Sequence, residues 1–328
     1  MTRERFLAAA LGHHKCASEW IHGICELVCH DLGLKTGKVY DERGFGGDLE
    51  RYVRDQKVDF LLYGDADFQQ VQNLPVEKIR AFHYVRDPRD IVVSAYFSHR
   101  NSHRTKWWPE LVEHRQKLRS CSKDQGLFIE LEFRSRQFQE MRSWKHSSDN
   151  QSIRLYKIED VVSNPYQAFL EIFAHLGLLD AESYCASKRI RFLLSRMNRR
   201  LESFIHDFVT PLPERITPEH ARYLAATSEW RPRRRLPRTL KAIPAERLLG
   251  IVYEHDFSRL SGGRQRGEVD PNSHYRRGVH GDWINHFSLE FLQFFKERYG
   301  DLVLQYGYES DPDWDRKYAQ LIRDRLKP

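Results

Sequence analysis

The sequence predicts an α/β fold, a three-layer sandwich with a mostly parallel central sheet and helices on both faces. Two observations carry this. Short apolar segments at 6–11, 58–63, 81–85 and 152–157 alternate with stretches whose apolar residues fall at helical spacing, the pattern of repeated strand–helix–strand units. The first three segments also run into turn-forming residues, at Gly12, Gly64 and Asp87-Pro88. Ligands in open α/β sheets bind beyond such carboxyl ends of strands. With 328 residues the chain can bury a large core. We expect a single domain over 1–310, with insertions near 101–150 and 181–241, followed by a peripheral helix at 311–328.

The segment 6–11 ends in Gly12 and the loop GHHKCASEW, and a helix-like stretch follows from Ile21. In that arrangement backbone amides cradle a phosphate or sulfate, and Lys15 would point at the anion. A nucleotide-kinase loop, GxxxxGK[ST], is excluded, because Cys16 follows Lys15 and no glycine precedes it. Ser18 and Glu19 stand where the helix begins, Glu19 as a favourable first-turn acid. Cys25 and Cys29, four apart with His22 nearby, fit the core face of that helix better than a metal site.

After the segment 58–63 come Gly64-Asp65-Ala66-Asp67. Their carboxylates suit a general base or, equally, a helix cap. In 81–99, Phe82, Tyr84 and Val85 give strand preference, and Asp87-Pro88 stops the strand and presets a helix start. Arg86 closes this strand and Ser94 lies eight residues on. The run Arg-Asp-Pro-Arg-Asp is by itself also a plain solvated helix cap, so other segments decide its meaning.

The polar stretch 101–150 is expected to lay helices over the mouth of a site, with Trp107, Trp108 and His99 lining it. From 181 to 241 Arg and Lys are dense. Without aromatic interleaving or a nucleic-acid module these are solvated helix faces, and no nucleic-acid partner is expected. A short helix at 251–260 precedes a Gly-rich, charged loop ending in Arg276, Arg277 and Gly278, with Trp283 and Phe287 as anchors. Adjacent guanidinium groups beside a glycine suit a phosphate. A closing helix over 288–300 and a tail finish the fold.

The net charge of +7 suits an anionic ligand. Five cysteines without a CxxC pair argue against a disulfide framework and for a reducing cytoplasm. The six-residue N-terminal apolar run is too short for a signal peptide, and no segment approaches a membrane span. A homodimer is left open.

Taken in order, these three anion-binding segments resemble the sulfotransferases that use 3′-phosphoadenosine-5′-phosphosulfate (PAPS) and release adenosine 3′,5′-bisphosphate (PAP). The first family motif, Pro-Lys-Ser-Gly-Thr-Thr-Trp, is met by His14-Lys15-Cys16-Ala17-Ser18-Glu19-Trp20 at Lys15 and Trp20, with a hydroxyl at Ser18. The second, a strand-end Arg with Ser eight residues later, is met by Arg86 and Ser94. The third, Arg-Lys-Gly-x-x-Gly-Asp-Trp-x-Asn-x-Phe, is met along 276–287 by RRGVHGDWINHF. The resemblance implies a P-loop-like sandwich and a donor site of Lys15, Cys16, Ala17, Ser18, Glu19, Trp20, Arg86, Ser94, Arg276, Arg277 and Gly278. It also implies in-line sulfuryl transfer without a metal to a hydroxyl or amine of a small-molecule acceptor.

Departures from the family are specific. Glu19 replaces a hydroxyl residue, and Ile158 replaces the tyrosine before Glu159-Asp160 that touches adenine, which shifts that contact toward Trp20. Spacing back from Arg86 puts the family's catalytic histidine near Gly64 and Asp65. Asp65 is therefore the expected base, with Asp67, Asp41, Glu42 and Glu19 as alternatives. A nucleotide-dependent phosphotransferase and a non-catalytic PAPS- or PAP-binding protein are the rival functions.

Overall fold

The computed structural model describes residues 6–75, 79–106, 108–144, 152–180, 217–219, 222 and 240–326. Trp107 and nearly all of the basic 181–241 segment lie outside the described residues.

Five strands form one sheet: β1 (Leu7–Gly12), β2 (Thr36–Val39), β3 (Phe60–Tyr63), β4 (Ile79–Val85) and β5 (Ile153–Lys157), in the spatial order β2-β3-β1-β4-β5. Every pairing is parallel. The helices α1 (Ser18–Leu32), α2 (Leu49–Asp55), α3 (Phe68–Gln72) and α4 (Pro88–Phe97) supply the crossovers. A central parallel strand is covered on both faces, so it reads as a continuous apolar run rather than an alternating one. Accordingly all six residues of β1 are buried.

The pleat sends alternate β1 residues to opposite layers. Ala8 and Ala10 pack with α1, α4 and the C-terminal helices, while Leu7, Ala9 and Leu11 pack with Leu49 of α2, Val71 of α3 and Trp144. The expected three-layer sandwich is thus present, with a sheet that is wholly parallel.

Gly12 ends β1 opposite Tyr84 in the register. A Cβ there would lie 2.0 Å from Tyr84 Cζ, and the fully buried tyrosine is fixed by its bond to His22 Nε2 at 3.0 Å. Gly12→Ala is expected to destabilise the fold by about 3 kcal/mol, the upper part of the usual overpacking range. A urea midpoint unchanged from wild type would show that the strand end relaxes freely.

The 101–150 stretch contains α5 (Glu110–Ser120), α6 (Lys123–Phe133) and α7 (Ser135–Ser143). Beyond β5 come α8 (Ile158–Ser163), α9 (Pro165–His175) and a short parallel pair, β6 (Leu179–Asp180) with β7 (Ile243–Pro244). The helix expected at 251–260 is two elements, α10 (Ala245–Glu254) and the single turn α11 (Phe257–Leu260). Asp256 breaks it by capping Ser258 N–H. The closing helix α12 (Leu289–Gln305) runs straight through Gly300 into the expected tail. That glycine lies inside the helix, where a Cβ would lie 3.2 Å from Lys296 Cγ and in ordinary contact with Trp314 Nε1 at 3.8 Å. The last helix, α13 (Asp315–Leu326), has Ile322 in the core, and Trp314 just before it is buried. No described helix is long and apolar enough to cross a membrane.

Candidate anion and acceptor site

β1 lies between β3 and β4, the place where the chain switches from one side of the sheet to the other. Ligands in open α/β sheets bind outside the carboxyl ends at such a switch. The loop 13–17 and the turn Arg86-Asp87 are the segments there.

Lys15 (φ 67°) and Ala17 (φ 63°) are both in the left-handed region, which costs non-glycine residues about 1–3 kcal/mol each and survives only where the surroundings enforce it. Here the enforcement is visible. Cys16 N–H bonds His13 O at 3.0 Å and Gln137 Nε2 donates to His14 O at 2.7 Å. Asp65 accepts from His14 N–H at 3.3 Å, and Arg86 Nη1 donates to Lys15 O at 3.3 Å. The folded loop leaves Lys15, Ala17, Ser18 and Glu19 N–H with no acceptor among the described residues. Backbone amides turned inward this way, ahead of a helix N-terminus, form an anion nest.

Each side chain of the loop has its own task. Lys15 is half-buried, and burial followed by the Arg86 charge pushes its ammonium down to about 7, with Arg134 and Arg276 adding to the effect. Such crowding of cations is relieved by a bound polyanion. Cys16 turns into the core, where burial raises its thiol to about 12, so only its backbone is left for a ligand. Ser18 Oγ donates to His13 O at 3.4 Å. Glu19 accepts from Tyr40 Oη and is exposed, so its charge is turned away from the nest. Trp20 is buried, with Nε1 donating to His255 O at 2.9 Å and its ring edge-on to Phe169.

The second motif is held to the third by Asp90. Its carboxylate accepts from Gly281 N–H at 2.6 Å and Trp283 N–H at 3.0 Å. Ser94 is on the same face of α4 as Asp90 and Phe97, following the i, i+3, i+4 rule. Arg276 stacks over the Phe97 ring at 4.6 Å. Ser94 therefore faces the 276–283 segment. Glu159 steadies the turn from the other side, accepting Asp87 N–H at 3.0 Å. Arg86 makes no ion pair with a carboxylate among the described residues. Arg276 and Arg277 both grip Asp282, and bonds from His286, Arg276 and Asn285 hold its carboxyl far below the usual range against the effect of burial. Arg277 Nε is buried without a partner among the described residues. Gly278 (φ 68°) lies against Phe257. It also lines a cleft of about 330 Å³ with Glu159, Val162, Tyr166, Arg266 and His280. That cleft contains none of Lys15, Arg86 or Ser94.

The expected base, Asp65, lies beside the nest. Burial raises its pKa and Arg134 opposes this, with Arg134 Nη2 at 3.0 Å from Oδ2. The alternatives are occupied elsewhere. Asp67 caps α3, Asp41 caps the turn at Glu42–Gly44 and pairs with Arg43, and Glu42 pairs with Arg136 at 3.2 Å.

The structure also brings together a group that spacing did not indicate. His14 Nε2 is 2.9 Å from His99 Nε2, and His99 Nδ1 is 2.8 Å from Glu130 Oε1. The other Glu130 oxygen is 2.7 Å from His114 Nε2. His103 joins on the loop side of His14 and His99, with the ligand atoms of the three histidines within 4.8 Å of one another. His14 and His99 are 85 positions apart, so no periodicity or motif links them; from the sequence His14 was legible only as part of the first loop and His99 only as a residue lining the mouth of the site.

The sequence matches no protein-family profile and no curated protein. Among solved structures, the fold is similar to that of mouse sulfotransferase SULT7A1 complexed with PAP, at a TM-score of 0.50 and 14% identity, covering 97% of this chain and 90% of that one. It is also similar to retinol dehydratase in complex with androsterone and the inactive cofactor PAP, at a TM-score of 0.43 and 12% identity, over 92% and 82% of the two chains. With the five-stranded parallel sheet and its 2-3-1-4-5 order, this chain has the fold of the PAPS-dependent sulfotransferases.

Proposed function

We propose that this protein transfers a sulfuryl group from PAPS to a hydroxyl or amine of a small-molecule acceptor. The observation that carries the proposal is the nest at 13–17, with Lys15 crowded by the Arg86, Arg134 and Arg276 charges. The orphaned Arg277 Nε and the carboxylate-free Arg86 also fit a doubly phosphorylated ligand.

Bound there, the donor supplies a sulfur with a nucleotide phosphate as leaving group. In the proposed step the acceptor oxygen or nitrogen forms a bond to sulfur as the sulfur–oxygen bond to that phosphate breaks. Positioning and electrostatics do most of the work in such in-line transfers. The free amides of Lys15, Ala17, Ser18 and Glu19 bind the 5′ end, Cys16 shapes the loop through its N–H bond to His13 O, the Ser18 hydroxyl completes the cradle, and Lys15 holds the developing charge on the leaving oxygen. Arg86, Ser94, Arg276, Arg277 and Gly278 hold the 3′-phosphate, and Trp20 walls the nucleoside. Asp65 takes the acceptor's proton.

A thermal-shift comparison with PAP, ADP and ATP tests the donor assignment. PAP at 100 times its Kd stabilises the native state by about 2.7 kcal/mol, a rise in Tm on the order of 5 °C, and we expect ADP and ATP to give less than half of that. Equal shifts from ATP and PAP would favour a phosphotransferase. Engagement of both Asp65 oxygens, by Arg134 and His14 N–H, favours one other reading, a PAP-binding protein without turnover. A PAP shift together with no sulfated product across an acceptor panel would establish that reading.

A further inference from the structure

We propose that His14, His99 and His103 form a binding site for a divalent transition-metal ion of the zinc class. This goes beyond the sulfotransferase reading and stands on the histidines themselves.

The ligand type comes first. Imidazole nitrogen suits Zn²⁺, Cu²⁺ and Ni²⁺, and three histidines with one position left for water is a known open zinc arrangement. Geometry agrees. Two nitrogens each about 2.0–2.1 Å from zinc and set at 90–110° are about 2.9–3.4 Å apart, and His14 Nε2 and His99 Nε2 are 2.9 Å apart. His103 stands beside them, the three ligand atoms lying within 4.8 Å of one another, so its ring moves inward from the loop to complete the triangle when metal binds.

The outer groups orient the inner ones. Glu130 is fully buried, and its two oxygens face His99 Nδ1 at 2.8 Å and His114 Nε2 at 2.7 Å. With His99 Nδ1 bonded to Glu130, the other ring nitrogen, Nε2, is the one that faces His14. A carboxylate behind a ligating imidazole is the usual support of a metal ligand. Trp108 stands edge-on to all three rings at 5.2–5.6 Å, walling the site from one side.

The histidines are also available as ligands. Without metal, the 2.9 Å separation is a hydrogen bond from His14 Nε2–H to His99. In protonation, metal binding then needs only a shift of the His14 proton from Nε2 to Nδ1, with no net proton release. The charges facing the cluster are Lys15, Arg134 and Arg115, the last bonded to the backbone oxygens of His99 and His103, which oppose a dication, and Glu130 and the Arg134-paired Asp65, which offset them. We therefore expect binding in the micromolar range or tighter, not the extreme affinity of a structural thiolate site.

The test uses the full chain with any polyhistidine tag removed. After dialysis against chelator, the protein is titrated with Zn²⁺ against a chromophoric competitor, and with Co²⁺ while its visible d–d bands are recorded. We expect about one equivalent of Zn²⁺ and Co²⁺ bands of a site with nitrogen ligands. His103→Ala, at a half-buried loop position, should weaken Zn²⁺ binding at least 100-fold. Glu130→Gln, acting through His99, should weaken it about 10- to 100-fold. His175→Ala, outside the cluster, should leave it unchanged. No saturable binding by wild type at 100 μM Zn²⁺ on the order of the micromolar expectation, or equal binding by His103→Ala with normal circular dichroism, overturns the site. PAP-induced thermal shifts measured on the same samples report the donor site separately, so loss of one reading is distinguishable from loss of the other.

Discussion

Lys15→Ala is expected to lower kcat for sulfuryl transfer about 100- to 1000-fold, the effect of removing a preorganised donor to a developing oxyanion. The reason is local. The Lys15 backbone is held in the left-handed region, its carbonyl accepting from Arg86 Nη1, so the loop that carries the ammonium is preorganised. Burial and the Arg86 charge set it at about 7 in the free protein, whereas a bound polyanion favours the charged form. PAP affinity should therefore fall as pH rises above about 7 in the wild type, by up to about tenfold per unit, and stay nearly flat in Lys15→Ala.

The same group has a stability signature of defined sign. An unfolded lysine binds its proton up to about 10.4, so between about 7 and that value the unfolded chain holds more protons than the native one. Lys15 thus adds stability to the ligand-free protein as pH rises through that window. Isothermal titration of PAP across pH 6.5 to 9, on the order of two and a half pH units over which the predicted fall accumulates, checks the binding part. A kcat near wild type for Lys15→Ala would remove the residue from the reacting bond, and identical pH slopes in both proteins would remove it from the site.

Arg86→Ala is expected to weaken PAP binding about 10- to 150-fold, from the 1.5 to 3 kcal/mol of a charge-assisted hydrogen bond. Arg86 leaves β4 beside the nest, donates to Lys15 O and makes no ion pair with a carboxylate among the described residues. Only the Asp90 carboxylate, already committed to Gly281 and Trp283 N–H, offsets its charge at longer range, so the guanidinium is left for an anion. The loss should fall on PAP and leave ADP affinity nearly unchanged, because only the 3′-phosphate is affected. Equal losses for both nucleotides would assign Arg86 to the shape of the loop instead. An unchanged PAP affinity would remove it from the site.

Much of this was legible before any coordinates. The parallel strands follow from apolar runs too short for helices and separated by helix-period segments, and the positions of Lys15, Arg86 and Ser94 follow from where those runs stop. Proline at the first position of α4 and Asp87 as its cap are local effects that neighbouring residues determine. The helix ends were less legible. Gly300 lies within α12, which runs on to Gln305 with Leu302 and Val303 in the core, and the burial that carries a helix past a glycine leaves no mark beside it.

The sequence by itself determined four of the sheet's five strands, the strand-end loop and the basic side chains that make an anion site, because apolar runs, turn chemistry and caps act over a few residues; β2, with Thr36 and Lys38 exposed, has no apolar run to mark it. Only the tertiary structure decided what those side chains meet. Asp65 faces Arg134 from α6's C-terminal end, Glu19 turns to Tyr40, Asp90 clasps Gly281 and Trp283, and His14 meets His99. These contacts join residues as far as 193 positions apart. They depend on how helices close over the sheet, which is set by the summed packing of the core and by no local spacing.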